Sequence, residues 1–122
     1  MKERRMIRQE EIEFISAALR IAATEKISEE LQAKLPNLRV HQRCDCGCPS
    51  VNFERPQKAK PRVIADGIAT SVGGHDVGFI IWGTSDTISG LEVYEMGAPI
   101  KELPSITTLR GWGPKRPGEE VQ

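Results

Sequence analysis

Between Gln9 and about Ala23 the apolar residues Ile12, Ile15, Leu19 and Ala22 recur at steps of three and four, with Phe14, Ala18 and Ile21 widening the stripe. That period turns one side of a helix apolar, so the pattern predicts an amphipathic α-helix. Glu10, Glu11 and Glu13 sit at its start, where carboxylates meet the positive end of the helix dipole. Ser28 can cap a second, shorter helix with Glu29 and Glu30 in its first turn and Leu31 and Leu35 on one side, ended by Pro36. Two helices are thus expected before any strand.

After Asn37 the period changes to two. Leu38, Val40 and Gln42 alternate with Arg39, His41 and Arg43, the pattern of a half-buried strand. The run Cys44 to Pro49 punctuates it, and Ser50-Val51-Asn52-Phe53-Glu54 alternates again, which predicts a strand pair folded back through the cysteine-rich turn. Arg55 to Pro61 reads as a solvated loop, and Val63-Ile64-Ala65 opens the next strand. Gly73-Gly74 separates it from Val77 to Trp82, whose unbroken apolar run predicts a central strand covered on both faces. Gly83 to Asp86 makes a turn, and Ile88, Leu91, Val93 and Tyr94 belong to a last strand with Gly90 as its bulge. Beyond Met96 the chain is punctuated by Pro and Gly.

Helix, helix, then four or five strands on short connections predicts an α+β fold, two N-terminal helices packed on one face of a mainly antiparallel sheet. At 122 residues the chain fits a single domain, placed at residues 1–110, with 111–122 a flexible tail in which Trp112 is the one bulky residue. Such a chain buries about two-thirds of its unfolded surface and needs neither metal nor disulfide to hold its core.

Charge narrows the function classes. Lys and Arg number 17, as do Asp and Glu, so the positive field of a dedicated nucleic-acid binder is missing. The basic groups Arg4-Arg5-Arg8 and Lys58-Lys60-Arg62 carry no interleaved aromatics for base stacking and read as solvated charge. No apolar stretch is long enough to span a bilayer, and Gln9 to Glu13 stand where a secretory signal would need its apolar core. A cytoplasmic protein without nucleic-acid or membrane partners is expected.

The sharpest local feature is Cys44-Asp45-Cys46-Gly47-Cys48-Pro49. Cys44, Cys46 and Cys48, with His41, supply soft ligands for zinc, but structural zinc sites space paired ligands by about two to four residues, and here one residue separates successive cysteines. A tight turn of reduced thiols packed under a strand end is the preferred reading, and no bound cofactor is expected. Arg43 and His41 lie close enough in sequence to activate a thiolate, yet no nucleophile elbow accompanies them. Gly73-Gly74 lacks the lysine and helix of a phosphate loop. Acidic residues cluster instead at Glu92 and Glu95 around Tyr94, with Asp66 and Asp76 near strand ends. With Trp82, the Glu92–Tyr94–Glu95 face has the aromatic and charged character of a protein recognition surface.

A Glu-rich first helix, Cys46-Gly47-Cys48-Pro49-Ser50-Val51 before an aromatic strand residue, Ser89-Gly90-Leu91-Glu92-Val93-Tyr94-Glu95 and Leu103-Pro104 follow one another in that order. The combination resembles a group of small bacterial immunity proteins of polymorphic toxin systems, including contact-dependent growth inhibition. The resemblance covers most of residues 8–110, leaving Cys44 and Pro117 to Gln122 outside the pattern. It implies an antitoxin that neutralises one cognate toxin domain by occluding its active site, with no catalytic residue carried over. A nuclease toxin has a basic site, to which Trp82, Asp86, Glu92, Tyr94 and Glu95 are the expected contacts, charge complementarity speeding association.

Two other classes compete: a zinc or thiol-redox module built on His41, Cys44, Cys46 and Cys48, and an enzyme, for which no catalytic constellation is legible. Ile80-Ile81-Trp82 suits a dimer contact as well as a core, so the oligomeric state stays open.

Overall fold

In a computed structural model the described residues are 2–43, 48–53, 60–84, 86–96 and 100–111. All of the expected tail 111–122 but Gly111, the cysteines Cys44 and Cys46, and residues 54–59 lie outside them. The elements run β1 (Lys2–Met6), α1 (Gln9–Ala22), α2 (Glu29–Ala33), β2 (Arg39–Arg43), β3 (Val51–Phe53), β4 (Arg62–Thr70), β5 (Asp76–Gly83) and β6 (Ile88–Glu95). The strands form one six-stranded sheet of order β1-β2-β3-β6-β5-β4, every described pairing antiparallel. The α+β class is as the sequence predicts, with more strands than expected.

A strand, not a helix, comes first. β1 lies at the sheet edge against β2, with Met6 opposite Arg39 and a register shift between Lys2 and Arg5. Its sequence, Lys-Glu-Arg-Arg-Met, carries no apolar alternation, and charge of this kind suits an edge strand because it blocks further pairing. Arg5 anchors the strand to α1. Its guanidinium meets the Glu11 carboxylate through both nitrogens, Nη1–Oε1 and Nη2–Oε2 each 2.9 Å, and Glu11 is only 4% exposed. Arg8 offers no acceptor at the helix N-cap, so the Glu11 side chain reaches back and accepts the Arg8 backbone N–H at 2.8 Å. One carboxylate thus closes the helix start and ties it to the sheet.

α1 lays Phe14, Ile15, Ala18, Leu19 and Ala22 on one face of the sheet, where Phe14 meets Phe79 of β5 edge to face at 5.4 Å. Ser28 caps α2 as expected, accepting the Leu31 N–H at 3.1 Å, and Leu31 and Leu35 complete that side of the core. Pro36 sits inside a single 3-10 turn, Leu35–Asn37, that leads into β2.

Three details of the strands differ from the sequence reading. The middle of the sheet is β3 beside β6; β5 lies one strand from the β4 edge. Its apolar run arises because Val77, Phe79 and Ile81 enter the core while Ile80 and Trp82 are half-buried on the opposite, open face. In β2 the register shifts between Val40 and Gln42, so the alternation breaks at His41: Gln42 comes to stand opposite Asn52 and Arg43 opposite Val51. In β6 the irregularity falls between the pairs Trp82–Gly90 and Gly83–Ile88, at Ser89, while Gly90 keeps regular register. The β4–β5 turn forms as expected at Gly73-Gly74, with Gly74 at φ +87°, a conformation that favours glycine.

Residues 100–111 belong to the fold. Ile100 and Leu109 are buried in the core, and Arg110 exchanges two backbone hydrogen bonds with Ile68 of β4, at 2.9 and 3.0 Å. No helix among the described residues is long and apolar enough to cross a membrane.

Candidate functional site

α1 covers one face of the sheet; on the other, among the described residues, no helix packs, and strand register arranges its side chains in cross-strand rows. Gln42, Asn52, Gly90 and Trp82 stand in the first row. Glu92, Ile80 and Asp66 form the second, and Tyr94, Gly78 and Ile68 the third. Two glycines in strand interiors would ordinarily weaken a sheet, but here each makes room for a neighbour. A Cβ on Gly78 would collide with the Cζ and hydroxyl of Tyr94, so the tyrosine ring lies across that glycine. At Gly90 a Cβ would come 3.0 Å from Oδ1 of Asn52, whose side chain folds over it.

A cleft of about 640 Å³ is lined from this face by Gln42, Asn52, Trp82, Glu92 and Tyr94, and also by Arg43, Glu95, Cys48, Ser50 and Ile100. The indole N–H of Trp82 donates to Oε1 of Glu92 at 3.1 Å, which fixes the edge of the ring against the carboxylate. Burial, and then the negative charges of Asp66 and Glu92, raise the Tyr94 phenol above its ordinary pKa, so it is a neutral hydroxyl donor at physiological pH. Ser50 continues the β3–β6 ladder with its side chain: its hydroxyl accepts the Val93 N–H at 2.8 Å and donates to the Val93 carbonyl at 3.1 Å.

Of the residues singled out in the sequence, Trp82, Glu92, Tyr94 and Glu95 meet at this one cleft. Asp86 does not. It lies in the β5–β6 turn, where its N–H donates to Thr84 Oγ1 at 3.1 Å and its carbonyl accepts from Lys34 Nζ at 3.3 Å. Asp66 lies in the middle of β4, in the Ile80–Glu92 row, with its charge reaching Tyr94, while Asp76 pairs with Arg110 at 3.2 Å. The polar floor, Gln42 and Asn52, escaped the sequence reading: the bulge at His41 that turns Gln42 onto this face is invisible in the local pattern. Gly78 and Gly90, isolated glycines within strands, were the available signal that neighbouring side chains lie close there.

A second, more polar cleft of about 550 Å³ is lined by Arg5, Arg8, Arg43 and Lys101 against Glu10, Glu11 and Glu102, with Cys48 on its wall. Its charges nearly balance, and Arg5 and Glu11 are bound to each other. Of the zinc set considered above, Cys44 and Cys46 lie outside the described residues, while His41 and Cys48 are half-buried. Among the described residues no group of three or more His, Cys, Asp or Glu side chains is arranged to hold a metal ion.

No family model, curated protein or solved structure matches the chain.

Proposed function

We propose that this chain is an inhibitor of the immunity type, acting in the cytoplasm, which neutralises a toxin domain by covering a basic active site with the open face of its sheet. The observation that carries the reading is the gathering of Trp82, Glu92 and Tyr94 on the face that no helix of the described residues covers, with Glu95 lining the same cleft. Two aromatic side chains held in place by neighbours, with carboxylates beside them, are the composition of an interface centre: rigid apolar anchors supply affinity, and charge supplies rate and orientation. The antiparallel scaffold beneath keeps these groups fixed before binding, which lowers the entropy lost on association.

The test is protection. Cells expressing the toxin domain encoded immediately upstream of this gene are expected to grow only when the chain is co-expressed. Glu92→Arg, a reversal at an exposed position, should abolish protection while leaving the unfolding midpoint unchanged. Full protection by a folded double variant Trp82→Ala/Glu92→Arg would remove this face from the account, as would catalytic turnover by the isolated chain.

A further inference from the structure

The open face has a polarity that the balanced charge of the whole chain conceals. By register Asp66 and Glu92 stand on this face, and the negative charge of both reaches Tyr94, while Arg43 and Glu95, which also line the cleft, pair with core-facing Val51 and Val77. Trp82 and Tyr94 bracket Glu92 along the face: the indole is held by its N–H bond to Oε1 of that carboxylate, and the phenol ring is laid flat by the absence of a side chain at Gly78. The indole bond uses one carboxylate oxygen, Oε1, and leaves Oε2 as a further acceptor in the row between those of Trp82 and Tyr94. A cation that reaches Oε2 while lying over a ring face, away from the indole edge that meets the carboxylate, would gain attraction from the π system and from the carboxylate together.

We propose that Trp82, Glu92 and Tyr94 form a seat for the guanidinium of one arginine side chain, which the partner inserts into the cleft; the partner's part in this rests on the inhibitor reading above. Arginine fits better than lysine. Its planar, weakly hydrated head stacks on aromatic faces while its several N–H donors reach Glu92 Oε2 and the Asn52 amide oxygen in the neighbouring row. An ammonium is more strongly hydrated and cannot stack. Anionic ligands meet an acidic wall.

The seat is testable without the toxin. The full chain carrying Trp112→Phe leaves Trp82 as its only indole, so the indole N–H resonance reports the cleft directly. The probe is the peptide Ac-Gly-Arg-Gly-amide, with lysine and citrulline versions as comparisons, citrulline being the uncharged counterpart of arginine. Saturable shifts of the Trp82 indole resonance are expected with the arginine peptide at a Kd of about 1–10 mM. Binding should be roughly threefold weaker for lysine and roughly tenfold weaker for citrulline. Glu92→Gln, at an exposed site and with its unfolding midpoint checked against the parent, should weaken arginine binding about fivefold or more, and added salt should weaken it further. Equal binding of the citrulline peptide, or an indole resonance unmoved at about tenfold above that Kd, would overturn the proposal. If the seat stays empty while Trp82→Ala still abolishes protection, the proposal fails and the inhibitor reading stands. Arginine binding by a chain that protects no cell supports the seat and overturns the inhibitor reading.

Discussion

At the scale of single residues, Tyr94 carries the most readable physics. The chain has one tyrosine, so absorbance near the phenolate band titrates this group alone. Its phenol is raised first by burial and then by Asp66 and Glu92. The midpoint should therefore lie above the ordinary value of about 10, and fall toward it in Asp66→Asn/Glu92→Gln, though not fully, because burial is the larger cause. The sign for stability follows: the fold binds the phenolic proton more tightly than the unfolded chain does. Tyr94 contributes stability that is complete below the unfolded pKa and is lost as pH rises through the higher folded one. Unfolding midpoints measured from about pH 9 to 11 should accordingly fall more steeply in the wild type than in Tyr94→Phe. A phenolate midpoint at or below the ordinary value would mean that the ring is solvated and does not lie across Gly78. That glycine and Gly90 look like weak points in strand sequences; their role appears only once the side chains opposite them are placed.

Among the elements, β1 shows how tertiary pairing decides what local pattern cannot. Arg4, Arg5 and Arg8 read as solvated charge next to an acidic helix start, and a charged edge strand gives no periodic signal of its own. Yet Arg5 and Glu11, six residues apart, form a two-point ion pair whose carboxylate side chain is 6% exposed and whose guanidinium is 21% exposed. Glu11→Ala would leave Arg5 without this partner and strip the helix start of its acceptor, so a loss of about 2–4 kcal/mol is expected, less than for a fully buried pair because Arg5 retains some water. Arg5→Lys should lose part of that, since an ammonium cannot match both oxygens. Denaturant unfolding of the two variants measures this, and a change under about 0.5 kcal/mol for Glu11→Ala would show that β1 is not tethered through this contact. The elements with strong periodicity were legible: α1 ends within a residue of its apolar stripe, Ser28 caps α2, and the β2–β3 and β4–β5 hairpins fall at the expected turns. Strand order was not. An unbroken apolar run suggested that β5 lies at the centre, whereas the centre includes β3, a three-residue strand whose ladder Ser50 extends through its hydroxyl.

For the whole molecule, equal numbers of acidic and basic residues conceal an uneven surface. Most of the candidate contacts were legible because Trp82 and the Glu92–Tyr94–Glu95 run lie on adjacent strands, and alternation alone places Trp82, Glu92 and Tyr94 on the solvent side. Asp86 fell outside the cleft because a turn residue's direction is not set by strand period, and Gln42 and Asn52 entered it through a bulge and a cross-strand register that pattern does not specify. The fold therefore supplies a covered face that holds the molecule together and a second face on which Asp66, Glu92, Trp82 and Tyr94 stand, the face that the inhibitor reading assigns to a basic partner. Calorimetric titration of the chain into the product of the upstream gene, which the inhibitor reading expects to carry a toxin domain, at low and physiological salt, addresses that division most directly. The account predicts one-to-one binding at nanomolar Kd or tighter, weakened at least about 100-fold by Glu92→Arg and less severely by salt. Wild-type affinity in folded Glu92→Arg and Trp82→Ala variants at both salt concentrations would contradict it.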